Sequence, residues 1–410
     1  MKILAATYGS RGDVQPIIAL CLAFRSAGHD VLLAAPPENG PWIRSLGLAF
    51  ASLGDPFMAF ADRHPDVHSL RPAGAYLRFL RRQVRLQFQR FLRFLPGADL
   101  ALGCSLTFAL PSVAAALGVP YRYIVFCPQV LRSAYHPSLF MQNHRMSTTF
   151  NRLSWKIDAA ADRLLFRPVL DENRKNLGLS PIVGTTVEHL LAERPLLAAE
   201  RILAPVPEDV DKKPVRIGYP HLAGGGKLGP MVEDFLEEGP APVYCGFGSM
   251  PDEDPQKTLS RLRSAAHRAK ARIVVFSGRE ERVGKDCLLV GPLDHHRLFA
   301  KTAMVVHHGG AGTTATAARA GVPQIIVPHV LDQFYWARRV EDLGLGPPPL
   351  SRSRFRTSDL AGRMAAVARD PAYRKRAEYL AGKLAQEHPA GSMKDAVTAA
   401  LTPRNDAWDG

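Results

Sequence analysis

The feature that most constrains the fold is a recurring triplet: an apolar, β-branched run, then a turn bearing glycine or polar residues, then a stretch of helix formers. A strand buried on both faces needs a continuous apolar run, and reaching a parallel neighbour needs a crossover helix, so the repeat specifies parallel sheets covered by helices. The first half shows it at 3–7 before a helix expected over 14–27, at 30–35, at 100–104 before a helix over 110–117, and at 121–126. The second half restarts it at 243–247, 272–276, 287–290, 304–308 and 324–327.

The stretch between the halves is rich in Pro205, Pro207, Pro214, Pro220 and Gly224-Gly225-Gly226, residues that punctuate rather than continue regular structure. The expected class is therefore α/β, with two Rossmann-like parallel-sheet domains facing a cleft. Residues 1–204 make the first and 205–229 a linker. Residues 230–385 make the second, and 386–410 a C-terminal helix and tail returning to the first. A chain of 410 residues is long for one core, which agrees with two. In open parallel sheets a ligand sits beyond the carboxyl ends of the strands, so motifs on the turns after strands carry the chemistry.

Composition narrows the partners. A net charge of +14 fits an anionic ligand, a membrane surface or a basic exterior. It does not by itself mean nucleic acid, because no stacking module or recognition motif accompanies it. Cys21, Cys104, Cys127, Cys245 and Cys287 stand singly, a pattern of neither disulfide framework nor zinc site, so no metal is expected and a reducing compartment fits. The N-terminus lacks a hydrophobic stretch long enough for a secretory signal, and the charge-free run at 100–121 is cut by Gly103, Pro111, Gly118 and Pro120. The expected location is cytoplasmic.

Residues 304–308 read as a strand, Gly309-Gly310-Ala311-Gly312 as a turn, and Thr313 onward as a helix of small residues. Glycines let the backbone approach a ligand, the first helical N–H groups lack partners, and the helix dipole adds positive potential. Such a turn holds a diphosphate without a metal, with His308 adding a hydrogen bond or a charge. The same glycines are equally compatible with an empty turn, and their spacing is not that of a dinucleotide fingerprint. A second turn, Gly246-Phe247-Gly248-Ser249-Met250, offers Ser249 as a helix cap or a phosphate ligand; alone it reads as a cap.

Two carboxylates occupy corresponding edges. Asp13 lies in Gly9-Ser10-Arg11-Gly12-Asp13-Val14-Gln15-Pro16, between the first strand and the first helix. A general base that deprotonates an attacking hydroxyl belongs at such an edge, but aspartate is also a preferred N-cap, and on position alone the cap comes first. Asp332-Gln333 follows the strand at 324–327 and the loop Pro328-His329-Val330-Leu331. A carboxylate beside an amide suits vicinal sugar hydroxyls, and an N-cap role for Asp332 is about as natural.

Taken together and in this order, these four motifs resemble, over nearly the whole chain, the inverting glycosyltransferases of the GT-B fold, in particular the glycopeptide-antibiotic and sterol glucosyltransferases. The resemblance implies that Asp13 is the general base. It implies that Ser10, Arg11, Gly12, Ser249, His308, Gly309, Gly310, Gly312 and Thr313 surround the donor diphosphate, that Asp332 and Gln333 bind donor hydroxyls, and that Ser277, Val290, Pro292 and Leu293 form the base pocket. The implied reaction is one in-line displacement inverting the anomeric centre, without metal or cofactor, from a UDP- or TDP-sugar. Where the plant branch has a catalytic histidine this chain has Asp13, and where that branch has a base-stacking tryptophan and a ribose-binding glutamate it has Val290 and Thr316.

The acceptor is expected on the first half. Leu77, Leu80, Val84, Phe88, Phe91 and Leu95 recur at helical spacing among seven arginines with no acidic residue between Asp66 and Asp99. This predicts a basic amphipathic helix over 76–95, either making peripheral membrane contact or presenting a solvated face over an acceptor pocket. The acceptor-contact candidates are Phe88, Phe126, Tyr135, His136, Phe140 and Met141, which suit an apolar aglycone and equally a packed core. Two function classes follow: an enzyme transferring sugar to a hydrophobic small molecule, with a lipid or sterol acceptor as its variant, and a nucleotide-sugar-binding helper without turnover. A retained base beside a complete cradle favours the enzyme.

Overall fold

A computed structural model describes residues 1–64, 73–191, 194–222, 228–248, 254–352, 355–387 and 393–402. The first half runs β1 (Lys2–Tyr8), α1 (Arg11–Ser26), β2 (Asp30–Ala35), α2 (Gly40–Ser45), β3 (Ala49–Ser52), α3 (Phe57–Arg63), α4 (Ala73–Phe94), β4 (Leu100–Ser105), α5 (Leu110–Leu117) and β5 (Tyr121–Val125). It continues through α6 (Thr148–Ala161), a wide helical turn at Asp162–Phe166, α7 (Arg167–Asn176), α8 (Thr186–Leu191), β6 (Leu196–Leu197) and β7 (Val215–Arg216). The second half runs α9 (Pro230–Glu237), β8 (Val243–Gly246), α10 (Pro255–Arg268), β9 (Ile273–Phe276), β10 (Glu281–Arg282), β11 (Cys287–Val290), α11 (His295–Phe299), β12 (Met304–His307), α12 (Ala311–Arg319) and β13 (Gln324–Ile326). It ends with α13 (Gln333–Asp342), α14 (Thr357–Arg369), α15 (Pro371–Glu387) and α16 (Met393–Leu401).

Two sheets result. The first has the order β3-β2-β1-β4-β5-β6-β7 and is parallel throughout. The second, β10-β11-β9-β8-β12-β13, is parallel except for its antiparallel β10 edge. Each order reverses once, between β1 and β4 and between β8 and β12. At a reversal the connections leave toward opposite faces and open a crevice beyond the strand ends. The turns after β1 and β12, at these reversals, each carry one of the motifs.

Packing fixes these turns. On α1, Val14, Ile17, Ile18, Cys21 and Phe24 recur at helical spacing and are buried against Ile3, Ala5 and Leu33 of the sheet. Full burial of one such large side chain contributes about 1.5–3 kcal/mol. On α12 the buried residues include Ala315, Ala317 and Ala318, small enough to hold the helix close to its sheet. Helix α16 places Ala396, Val397 and Ala400 in the same core as α1.

The stretch 205–229 does more than connect. Val215 and Arg216 pair in parallel with Leu196 and Leu197, flanked by buried Val210 and Ile217. The prolines lie outside this pairing, so none has to donate to the ladder. The two halves share a core in which Tyr123, Val125 and Leu197 meet Ala315, Tyr335 and Trp336. Arg319 of α12 also donates to Glu200, 2.7 Å away and 1% exposed, across the same junction.

Helix α4 corrects one expectation. Its apolar face, Val84, Phe88 and Phe91, with Leu95 just beyond, is buried against Leu4, Ala6 and Tyr8 of the first sheet. The part of the face from Val84 onward that periodicity offered to lipid is spent on the core, whereas Leu77 and Leu80 are half-buried. Its arginines find acids distant in sequence: Arg82 donates to Asp55 at 2.7 Å, and Arg85 lies 3.7 Å from Glu172.

Candidate active site

Asp13 is the third residue of α1, and the N-cap is Ser10. The carboxylate reaches back to accept from the Ser10 backbone N–H at 2.8 Å and the Ser10 hydroxyl at 3.0 Å on Oδ2. Its Oδ1 accepts from the Ser105 hydroxyl at 2.7 Å, so residues at the ends of β1 and β4 converge on one carboxylate at the switch point. Burial pushes this carboxyl above its ordinary range, against the lowering pull of the Ser105 and Ser10 hydrogen bonds. The result is a partly exposed acid whose orientation is held from three sides.

Asp332 is the N-cap of α13 by position, but its side chain makes no cap bond. Its Oδ2 accepts instead from the Trp336 indole N–H at 3.1 Å. Burial chiefly, with repulsion from Asp13, raises its pKa to about 6. The Asp332 carboxyl therefore senses the charge of Asp13. Gln333, expected as a sugar contact, is 6% exposed, and its Oε1 accepts from the backbone N–H groups of His329 at 2.8 Å and Val330 at 3.1 Å. That oxygen is committed to shaping the loop that presents Asp332.

Backbone strain marks the same two places. Among the described residues the non-glycine positions with positive φ are Ser105 (53°), Lys270 (53°) and Leu331 (52°). The first donates to Asp13 and the last precedes Asp332. Such conformations cost of order 1–3 kcal/mol each and persist where the surroundings over-determine them.

The cradle forms around the start of α12. Gly310 is the N-cap and has no side chain to offer, so the amides of Ala311, Gly312 and Thr313 are left for an anion. Gly309 has φ +90°, and a Cβ there would lie 2.9 Å from the Gln333 carbonyl oxygen. Only glycine meets both demands. His307 is buried: its Nδ1 accepts from the Gly309 N–H at 3.1 Å, so Nε2 carries the proton toward Gln324 Oε1 at 2.9 Å. This ring builds the turn.

The His308 ring packs beside Gly248 and Gly310 of the two glycine-bearing turns, and its buried Nδ1 has no hydrogen-bond partner in the structure. Burial lowers its pKa to about 4. The imidazole is neutral near pH 7 and offers a hydrogen bond rather than a fixed charge. Arg11, at the first position of α1, has its guanidinium 4.4 Å from the centre of the Trp42 ring. Gly12 is exposed beside it. Ser249 lies outside the described residues.

A cavity of about 420 Å³ lies beyond β11, lined by Gly278, Arg279, Val290, Gly291, Pro292 and Leu293 among others. Val290 contributes little side chain to it, being 0% exposed and packed in the second sheet's core. Ser277 is exposed, and its hydroxyl donates to the Arg279 carbonyl at 3.2 Å.

The acceptor candidates divide. Phe88, at 3% exposure, is a core residue, because the helix period reports an apolar face without saying what it meets. Phe126 lies 6.0 Å from the Tyr219 ring, toward the cleft. His136 is buried against Trp155, with burial lowering its pKa. Tyr135 and Phe140 are 66% and 70% exposed, and Met141 is half-buried.

Tyr219 went unnoticed in the sequence. It stands in the proline-rich stretch, yet its hydroxyl would be 2.4 Å from a Cβ at Gly312. The phenol thus rests on the first turn of α12. Its acidity is suppressed by burial first and then by the negative charges of Asp13, Glu200 and Asp332. Ser105 was also missed, although a serine closing the strand beside β1 was a readable clue.

Residues 3–122 match the glycosyltransferase family 28 N-terminal domain, and residues 277–398 match the erythromycin biosynthesis protein CIII-like C-terminal domain. Glycosyltransferase GtfE of Amycolatopsis orientalis is 33% identical, covering 98% of both chains. The sterol 3-beta-glucosyltransferase UGT80B1 of Arabidopsis thaliana is 29% identical over 98% of this chain and 68% of its own. Among solved structures, glycosyltransferase VinC in complex with DTDP superposes with a TM-score of 0.69 at 19% identity, covering 98% of this chain and 99% of that one. The chain belongs to the GT-B glycosyltransferases, related to the glycopeptide-antibiotic and sterol glucosyltransferases, and is an enzyme that uses a nucleotide-sugar donor.

Proposed function

We propose that this enzyme moves a hexose or deoxyhexose from a TDP- or UDP-sugar to a hydroxyl of a hydrophobic natural-product aglycone, inverting the anomeric centre without a metal. The observation that carries the reading is the facing pair of switch points, with a held carboxylate on one sheet and an anion cradle on the other. In this reading Asp13 accepts the acceptor's proton as its oxygen attacks. The departing diphosphate gathers charge at the α12 amides, His308 and the Tyr219 hydroxyl, with Ser10, Arg11 and Gly12 closing the site from the first sheet. Asp332 takes donor hydroxyls, while Gln333 shapes its loop. The nucleoside occupies the cavity along Gly291, Pro292 and Leu293.

The division into 1–204, 205–229, 230–385 and 386–410 belongs to the same proposal, with the acceptor on the first unit and the donor on the second. The small-molecule acceptor is supported by relatives such as the O-mycaminosyltylonolide 6-deoxyallosyltransferase of Streptomyces fradiae, 32% identical over 94% of both chains. TDP is favoured as the nucleotide by the VinC complex. A lipid or sterol acceptor is the second reading, favoured by the sterol glucosyltransferase relatives. Five free, buried cysteines support action in a reducing compartment such as the cytoplasm. The test is incubation with TDP- and UDP-sugars and a panel of phenolic, macrolide and sterol acceptors, with chelator present. New glycoside by mass spectrometry is expected; nucleotide binding with neither transfer nor donor hydrolysis would make the chain a non-catalytic binder.

A further inference from the structure

Helix α6 is inverted with respect to the usual amphipathic rule. Its buried residues are polar: Asn151 donates to the Ala134 carbonyl at 2.8 Å, and Ser154 accepts from the Ser138 N–H at 2.9 Å. Its apolar residues Phe150, Leu153 and Ile157, spaced along one face, are 58%, 48% and 53% exposed. The ridge continues into the wide turn, where Leu164 and Leu165 are 73% and 49% exposed. An apolar ridge of this extent is not the scattered exposure of an ordinary surface.

The charges beside the ridge have one sign on the outside. Arg152, Lys156 and Arg163 are exposed. The acids of the same segment turn inward: Asp162 accepts from the Thr186 N–H at 2.8 Å, and Asp158 is half-buried. Arg81 of α4 donates to the Leu165 carbonyl at 2.8 Å, which brings the arginine-rich outer face of α4 alongside. An apolar strip flanked by cations complements an anionic bilayer surface, where the side chains enter the headgroup boundary and the cations meet lipid phosphates. A second copy fits less well, because a two-fold contact through this ridge would set each cation cluster against itself.

We propose that the α6 ridge, extended by the Asp162–Phe166 turn, docks the enzyme on an anionic lipid bilayer. This does not depend on the acceptor's identity. Peripheral contact thus moves from the buried face of α4 to the exposed face of α6.

The experiment is co-sedimentation of the full chain with phosphatidylcholine vesicles made with and without phosphatidylglycerol, at low and high salt. The chain is expected to bind the anionic vesicles at low salt and to be released by high salt. The triple variant Arg152→Gln/Lys156→Gln/Arg163→Gln should bind about a hundredfold more weakly. Leu164→Gln/Leu165→Gln should lose about tenfold or more with unchanged salt dependence. All five side chains are exposed, so both variants should melt like the parent. No binding to anionic vesicles, equal binding by parent and variants, or a dimer in sedimentation velocity that the leucine variant dissolves would each overturn the proposal.

Discussion

Replacing Asp13 with asparagine separates two roles that the geometry gives to one side chain. Three donors converge on the carboxylate, two on Oδ2 from Ser10 and one on Oδ1 from Ser105. Asparagine can keep its oxygen toward the Ser10 N–H, which cannot turn away, and set its amide toward the Ser105 hydroxyl, which can accept. What is lost is the negative charge at the start of α1 and the strengthening it gives those bonds. That costs about 1 kcal/mol of stability. Loss of a general base costs about a hundredfold to ten-thousandfold in turnover, or about 3–5 kcal/mol in the barrier. The assay combines initial rates at saturating donor, nucleotide titration by calorimetry and denaturant unfolding. The expected result is a collapse in kcat with nucleotide affinity intact and a small loss of stability. Near-normal turnover would refute the base assignment and return Asp13 to a purely structural place in the capping turn.

Other predictions concern the opposite edge. Because Asp332 is raised from 3.8 to about 6, the folded protein keeps a proton that the unfolded chain has lost across that window. Stability should therefore fall as pH rises from about 4 to about 6 and level above it, and Asp332→Asn should flatten that slope in urea melts; an unchanged slope would contradict the assignment. Gly309→Ala places a side chain at φ +90° and 2.9 Å from a carbonyl oxygen, so nucleotide affinity should drop about tenfold or more. Unaltered affinity would show that the turn does not touch the donor. Tyr219→Phe should slow transfer by about tenfold with little change in stability, since it removes one hydrogen bond to the leaving diphosphate. Wild-type kcat in that variant would leave Tyr219 as packing only.

The sequence made the central strands and turns legible because they are long, apolar and followed by glycine or a cap. Strands β2 and β11 lie within the stretches expected for them, whereas β6, β7 and β10, of two residues each, carry too short a pattern to be read. The first helix begins at Arg11 rather than Val14 because Ser10 caps it and Asp13 reaches back, a pairing that Ser-x-x-Asp spacing already hinted at. Periodicity marks the apolar face of α4 but does not say that it meets the sheet, which is where Phe88 is buried. Val290 and Gln333 are buried at their motif positions, Val290 within the second sheet's core and Gln333 with its oxygen on the loop backbone, which the motif alone does not reveal. Tyr219 had no local signal, because its place depends on how a proline-rich segment crosses to the start of α12.

The most direct test is the anomeric configuration of the product. An α-linked TDP- or UDP-sugar should yield a β-glycoside, read from the anomeric proton coupling by NMR, as one displacement from the Asp13 side requires. An α-glycoside would contradict direct displacement and with it the role of Asp13 as base.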